Sequence, residues 1–316
     1  MTRVGSNGLS GDGTVAVGLL TQVAQPEGFA WSLPTGINPL GFLPGGSFSE
    51  ATATNEDGTV IVGGGDSAGP WVAEAGIWTA MTGWTSLGAP PGTDNCIATD
   101  VSADGTVVVG RSLVPDSAAF RWTAATGMKL IGLPGTRSSA QAVCANGATV
   151  VGCVAYLPSG AQTPFRWTEQ AGMVALGFEG NALDVSGDGK TVVGVSAVGV
   201  SGSEAFSWTA SGGKIGLGDF PGGSFSSVAH GVSGPGHVIV GQGRTSAGTR
   251  AALWLTGVTG PLVLSEHLTA VGVTGHEAWN LRYAASVSFD GRTIVGHGVN
   301  PQGLEQSWMA RLPAAW

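Results

Sequence analysis

The strongest constraint on this chain is a repeat. Val-Ser-Ala-Asp-Gly-Thr-Val-Val-Val-Gly (Val101 to Gly110), followed twelve residues later by Trp122, is one of seven copies of a single pattern. In each copy two short runs of strand-forming residues flank a turn ending in glycine. Asp104-Gly105 supplies that turn here, Asn146-Gly147 in the fourth copy and Pro235-Gly236 in the sixth. Such pairs suit the positive φ of a tight hairpin. Two landmark columns count the copies. One is the glycine closing the second strand: Gly18, Gly63, Gly110, Gly152, Gly194, Gly241 and Gly296. The other is a tryptophan in the third: Trp31, Trp78, Trp122, Trp167, Trp208, Trp254 and Trp308.

The tryptophans are spaced 47, 44, 45, 41, 46 and 54 residues apart. A period near 45 with several short strands per unit is a propeller signature, and no 3.6-residue periodicity supports a helical array. The expectation is an all-β, seven-bladed β-propeller forming a single domain over residues 1–316. Each blade has four strands, as at Ala98 to Ser102, Thr106 to Gly110, Phe120 to Thr123 and Met128 to Gly132. Leu43 to Gly46, Leu133 to Gly135 and Phe220 to Gly223 are the connectors between blades, where Pro and Gly permit a sharp reversal. Ala51, Ala98, Ala140, Ala182, Ala229 and Ala284 recur in the first strand, as crowding around a central channel requires. The seven tryptophans are read as core between blades. The last unit runs out before a fourth strand. Gly5 to Ser10 is therefore expected to form the inner strand of the first blade and to meet the last blade by burial alone.

Glycine accounts for 55 residues and charged residues for only 11%, but 42% hydrophobic content and eleven tryptophans supply a core. A net charge of −8 with 13 basic residues argues against nucleic acid as a partner. No apolar run is long enough for a membrane helix, so no membrane insertion is expected. Cys96, Cys144 and Cys153 form neither a disulfide framework nor a zinc pattern; Cys144 should face roughly Thr149 and Cys153 roughly Ala140, as buried free thiols. No metal or cofactor signature is present. Met-Thr-Arg-Val-Gly-Ser enters the first repeat directly, without a leader pattern.

Ala-Phe-Arg-Trp-Thr (Ala119 to Thr123), Leu-Gly-x-Leu-Pro-Gly-Gly (Leu40 to Gly46) and Ser-x-Asp-Gly-x-x-Val-Val-Gly (Ser186 to Gly194) resemble the HAF-type extracellular repeat over essentially the whole chain. The name-giving His-Ala-Phe is absent. The resemblance implies a propeller from a secreted bacterial protein or an autotransporter passenger region, an extracellular or cell-surface location, and no catalytic residues.

Variable loops between the second and third strands are where a rigid scaffold carries binding groups. Trp71, Tyr156, Arg111 and Arg250 are the candidate ligand-binding residues there. Rare chemistry concentrates elsewhere. All five histidines (His230, His237, His267, His276 and His297) lie in the last two units, with Tyr283 beside Arg282. His230, Tyr283, His297 and Arg244 are the candidate catalytic set at a channel mouth. His or Tyr there would remove a proton α to a uronate while Arg neutralises its carboxylate. The leading reading is a binding or adhesion module for a glycan or protein. A polysaccharide lyase or hydrolase is the alternative, and a structural spacer the third. One asymmetric pocket of ionisable groups would favour the enzyme; shallow aromatic loops repeated around the ring would favour the binder.

Overall fold

The structure is a computed structural model that describes residues 3–21, 24–67, 73–90, 93, 95–113, 117–156, 160–199 and 202–314. Seven antiparallel sheets form seven blades. Blade 1 holds β1 (Arg3–Leu9), β2 (Val15–Thr21), β3 (Glu27–Ser32) and β4 (Gly36–Pro39); blade 2 holds β5 (Ser49–Thr54), β6 (Val60–Asp66), β7 (Ala73–Thr79) and β8 (Gly83–Ser86). Blade 3 holds β9 (Cys96–Val101), β10 (Val107–Ser112), β11 (Ala119–Thr123) and β12 (Gly127–Leu130); blade 4 holds β13 (Thr136–Val143), β14 (Thr149–Tyr156), β15 (Gln162–Thr168) and β16 (Gly172–Ala175). Blade 5 holds β17 (Gly180–Val185), β18 (Val192–Val198), β19 (Gly202–Thr209) and β20 (Gly213–Gly216); blade 6 holds β21 (Val228–Val232), β22 (Val238–Thr245), β23 (Gly248–Leu255) and β24 (Leu262–Val263). After helix α1 (Leu264–Ala270), blade 7 has only β25 (Asn280–Val287), β26 (Thr293–Val299) and β27 (Glu305–Arg311). The short helix was not anticipated from sequence. Leu264 and Leu268, one turn apart on it, are both fully buried.

The hairpin turns of blades 1, 3, 5 and 7 are held the same way, whereas in blade 2 Asn55 Oδ1 accepts the Val60 N–H and in blade 6 Ser233 Oγ accepts the Val238 N–H with Pro235 in place of the aspartate. Ser102 Oγ donates to Asp104 Oδ1 at 2.6 Å and accepts the Val107 N–H at 3.0 Å. Ser10, Ser186 and Ser288 repeat this arrangement with Asp12, Asp188 and Asp290. In blade 4 Cys144 stands in for the serine: its Sγ contacts Asn146 Oδ1 and accepts the Thr149 N–H, both at 3.1 Å. All three cysteines are buried and free. Cys153 pairs with Ser139 instead of Ala140, one residue from the expected register.

The inner strand of every blade carries a β-bulge two residues before its turn-proximal end. Thr99 is the extra residue in blade 3: Ala98 faces Gly110 and Asp100 faces Val109. Asn7, Thr52, Gln141, Leu183, His230 and Ala285 occupy the same position in the other blades. The bulge explains the glycine column. A Cβ on Gly110 would lie 2.7 Å from Phe120 Cζ and collide with the Ile97 carbonyl oxygen; the glycines at 63, 152, 194, 241 and 296 meet the matching carbonyls of Glu50, Ser139, Asn181, Val228 and Tyr283. The six aligned alanines are fully buried, as the crowded inner strand demands.

The tryptophan column needs a correction. The fully buried aromatics are Phe29, Phe120, Phe165 and Phe206, two residues before the tryptophan, each facing the strand-two glycine. Trp31, Trp78, Trp122 and Trp208 are only partly buried and cover that inner layer from outside. In blade 2, Gly76 takes the Phe position, and Trp84 of β8 fills the space 2.9 Å from where its Cβ would stand. Trp308 is out of register with the rest. It faces Gly296, the Phe position, while Ala310 faces Ile294 where the other blades place their tryptophan. The 54-residue spacing therefore includes a two-residue slip.

Ring closure follows the expectation in part. β1 is the inner strand of blade 1 and packs beside β25, β26 and β27, and among the described residues blade 7 has three strands. Burial is not the only tie, however. The turns form a belt of backbone hydrogen bonds between successive blades: Asp12 N–H to Glu56 O, Glu56 to Ala103, Ala103 to Ala145 and Ala145 to Gly187. Gly234 N–H then donates to Phe289 O at 3.0 Å, and Phe289 N–H to Gly11 O at 2.7 Å, which joins blade 7 to blade 1.

The glycine column yields a direct check. Gly152→Ala should destabilise by about 2–3 kcal/mol through overpacking against the Ser139 carbonyl, read by urea unfolding. A loss below about 0.5 kcal/mol would contradict the close approach.

Candidate functional site

The bulges decide what lines the channel. An extra residue in the inner strand re-aims its side chain toward the axis. In blades 1 to 3 these side chains lock onto the next inner strand: Asn7 Nδ2 donates to Ala51 O at 3.0 Å, Thr52 Oγ1 to Ala98 O at 2.9 Å and Thr99 Oγ1 to Ala140 O at 3.0 Å. In blade 6 the bulged residue is His230, and it meets the ring of Tyr283 from blade 7, centroid to centroid 4.3 Å.

One channel mouth opens as a cavity of about 780 Å³. Blades 6 and 7 supply His230, Arg282, Tyr283, His297, Glu305 and Gln306, and Asn7, Thr21, Glu50 and Gln141 add to its polar lining. The Tyr283 hydroxyl lies 3.4 Å from His230 Nδ1, and the Tyr283 and His297 rings are 5.8 Å apart. Ser307 Oγ lies 3.3 Å from His297 Nδ1. Arg282 pairs with Glu305 at 3.4 Å, and Glu50 accepts from Asn7 Nδ2 at 3.0 Å.

Burial pushes His230 down to about 4, so its imidazole is neutral at pH 7. Its Nε2 is buried with no partner. Burial also raises Tyr283, which keeps the phenol protonated. The pair can present a proton donor and a neutral nitrogen base side by side. Among the described side chains of the lining there are two carboxylates, Glu50 and Glu305, and one guanidinium, Arg282, which is paired with Glu305.

Three of the four residues proposed as catalytic thus converge: His230, Tyr283 and His297. Arg244 does not. It sits three residues beyond Gly241 in β22, exposed and facing Thr249, because the strand has left the channel by that point. Its backbone N–H donates to Asp219 Oδ1. The candidate binding residues do not gather at the mouth either. Trp71 lies outside the described residues. Tyr156 ends β14 with 43% exposure. Arg111 lies in β10 with its Nε buried and unpartnered, and Arg250 in β23 donates to the Thr249 carbonyl. Asn7, Glu50, Gln141, Arg282 and Glu305 were missed as site residues. Asn7 and Gln141 share a column with His230, directly after the aligned small residue (Ser6, Ala140 and Ala229), and the bulge that gives this column its direction shows only in the strand pairing.

The opposite end of the channel holds Asp100 and Asp184, at equivalent positions after the bulge. Each clamps a neighbouring blade: Asp100 Oδ2 accepts the Val143 N–H at 2.7 Å, and Asp184 Oδ2 the Val232 N–H at 2.8 Å. Burial lifts both carboxyls to about 7, and the charge of Asp100 adds to the rise at Asp184.

No known family model matches this chain, and no curated protein matches it in sequence. Similarity to solved structures is broad. An oligogalacturonate lyase from Vibrio parahaemolyticus superimposes with a TM-score of 0.65 at 12% identity, covering 100% of this chain and 92% of that one. An oligogalacturonate lyase in complex with manganese gives 0.63 at 15% identity, covering 99% and 90%. TolB from Acinetobacter baumannii gives 0.50 at 14% identity, covering 78% of this chain; this chain spans 62% of that protein. At these identities the likeness is one of fold. Among the described residues no group of three or more His, Cys, Asp or Glu side chains stands close enough to hold a metal ion.

The buried aspartates give a pH test. Their folded-state values lie above the ordinary 3.8, so ionising them inside the fold costs stability as pH rises from about 4 to 7. His230 acts oppositely, losing stability as pH falls from 6.5 towards 4. Comparing the wild type with Asp100→Asn/Asp184→Asn cancels the histidine. The wild-type Tm relative to the double variant should be highest below about pH 4 and fall steadily, by at least about 2 °C, as pH rises to about 7 and beyond. A flat difference would show that the two carboxyls titrate normally.

Proposed function

We propose that the protein is a binding propeller that grips one polar ligand, a neutral or amino-bearing glycan end, at the channel mouth. The observation that carries this is the lining of the 780 Å³ cavity. Carboxylates at Glu50 and Glu305, amides at Asn7 and Gln141, and the rings of Tyr283 and the two histidines combine the hydrogen-bond and stacking surfaces that sugars use. A single asymmetric pocket also favours one ligand held at the axis over repeated adhesion around the rim. A protein partner could engage the same face only by inserting a polar side chain there.

The enzyme reading rests on the contact among His230, Tyr283 and His297. In a lyase, neutral His230 would take the proton and a cation would neutralise the uronate. Arg282 is the cation of the lining, and it is engaged by Glu305. That electrostatic balance disfavours an acidic substrate, so binding is the better-supported reading. An extracellular or envelope location, with HAF-type repeats, fits the same proposal. No helix among the described residues is long and apolar enough to cross a membrane.

A glycan array followed by calorimetry tests the reading. Neutral or amino glycans should bind, and Gln141→Ala and Tyr283→Phe should each weaken binding about tenfold, roughly one lost hydrogen bond to a polar ligand. Turnover of oligogalacturonate, seen as ultraviolet absorbance of the unsaturated product and lost in His230→Ala, would instead establish the lyase. Binding unaffected by either substitution would move the site away from the channel.

A further inference from the structure

The outer edge of blade 7 differs from every other blade. Six blades end in a short fourth strand of two to four residues. Blade 7 ends at β27, a seven-residue strand whose outer edge pairs with no strand among the described residues. Long open edges are normally avoided, because their free N–H and C=O groups accept another strand. Here the space beside the edge is hollow. Cavities of about 320 and 490 Å³ flank β27, both bounded by Trp31, Trp308 and Met309, with Ile37 on one side and Trp279 on the other.

Two buried polar atoms at these hollows lack partners. Trp308 is 8% exposed, and its Nε1 has no acceptor. Two indoles of the tryptophan column, two positions along from Trp308, are satisfied: Trp78 Nε1 donates to Leu40 O at 3.1 Å and Trp254 Nε1 to Leu217 O at 2.9 Å; Trp84 Nε1, in the Phe space of blade 2, is buried without a partner like that of Trp308. His276 Nδ1, at the larger hollow, is also buried and unpartnered. The register slip enlarges the gap, since Ala310 stands where the sister blades carry tryptophan.

We propose that this edge is a docking site for an extended apolar peptide strand from a partner protein, which completes the blade by β-strand addition. The sister strands define the chemistry of the occupant. In blades 1 to 5 the fourth strand begins with glycine and its second residue lies opposite the blade's tryptophan; in four of the five that residue is apolar, Ile37, Trp84, Met128 or Met173, and in blade 5 it is Lys214. Opposite Ala310 that second residue has room to be large, so Trp or Met fits best. Arg311, exposed, stands where Thr123 faces Gly127. An acidic residue just before the glycine meets its charge. The docked backbone supplies carbonyls to an edge where an indole N–H now lacks one.

The probe is a fluorescein-labelled peptide, Asp-Gly-Trp-Thr-Ser, patterned on the chain's own blade 2 strand. Anisotropy with the whole protein should show saturable binding below 1 mM. The same peptide with proline in place of Trp and Thr should bind at least tenfold more weakly, because proline removes the donor and the side chain together. Ala310→Trp, which fills the hollow, should weaken binding at least fivefold with an unchanged circular dichroism spectrum and Tm. Hydrogen exchange at residues 306–311 should slow on binding. Absence of saturable binding, equal binding of the proline peptide, or protection elsewhere would overturn the proposal. So would a dimer in sedimentation that Ala310→Trp dissolves, since a second copy of this chain would then be the occupant.

Discussion

The fold depends on the approach of two backbones. In blades 2 to 7 the second-strand glycine lies against a carbonyl just before the inner-strand bulge, at a distance no Cβ permits. This contact lets the inner strand carry an extra residue without leaving the sheet, and it seats the aromatic ring that fills the blade. Phe120 against Gly110 shows both consequences at once, with the ring fully buried over the bare backbone. Where the aromatic is missing the structure finds another: Trp84 reaches in from the fourth strand, and Trp308 slides two positions along β27. Space is conserved more strictly than sequence position, as expected for an interior packed to crystal-like density.

The bulge links packing to function. In blades 1 to 3 its side chain ties neighbouring blades together, and in blade 6 it turns a histidine into the channel. One position thus serves as rivet between blades or as part of the channel lining according to its residue type. The two channel ends divide the labour. The turn end carries the hydrogen-bonded belt and the clamping aspartates, so it holds the ring closed. The open end is released from that task and gathers the rings, amides and carboxylates. Blade 7 joins both: it closes the ring through Phe289 and leaves its outer edge vacant of a fourth strand.

What the sequence determined by itself is local and periodic. Asp104-Gly105 and its six counterparts specify hairpins because a tight turn needs positive φ, and Gly105 adopts +74°. The seven-fold count, the four-strand unit and the small inner strand follow from repetition alone. The gathering of His230, Tyr283 and His297 was legible because rare residue types stand out in a chain of Gly, Ser, Ala and Val. What only the tertiary structure decided is non-local. The bulge shifts side chains by one position without changing the residues around it, so a column of alanines could not reveal that the next residue faces the axis. Arg244 and Trp308 were misplaced for a related reason. Distance along a strand and register across it are set by the partner strand, and a repeat aligned on one landmark tryptophan carries no record of a slip that packing imposes.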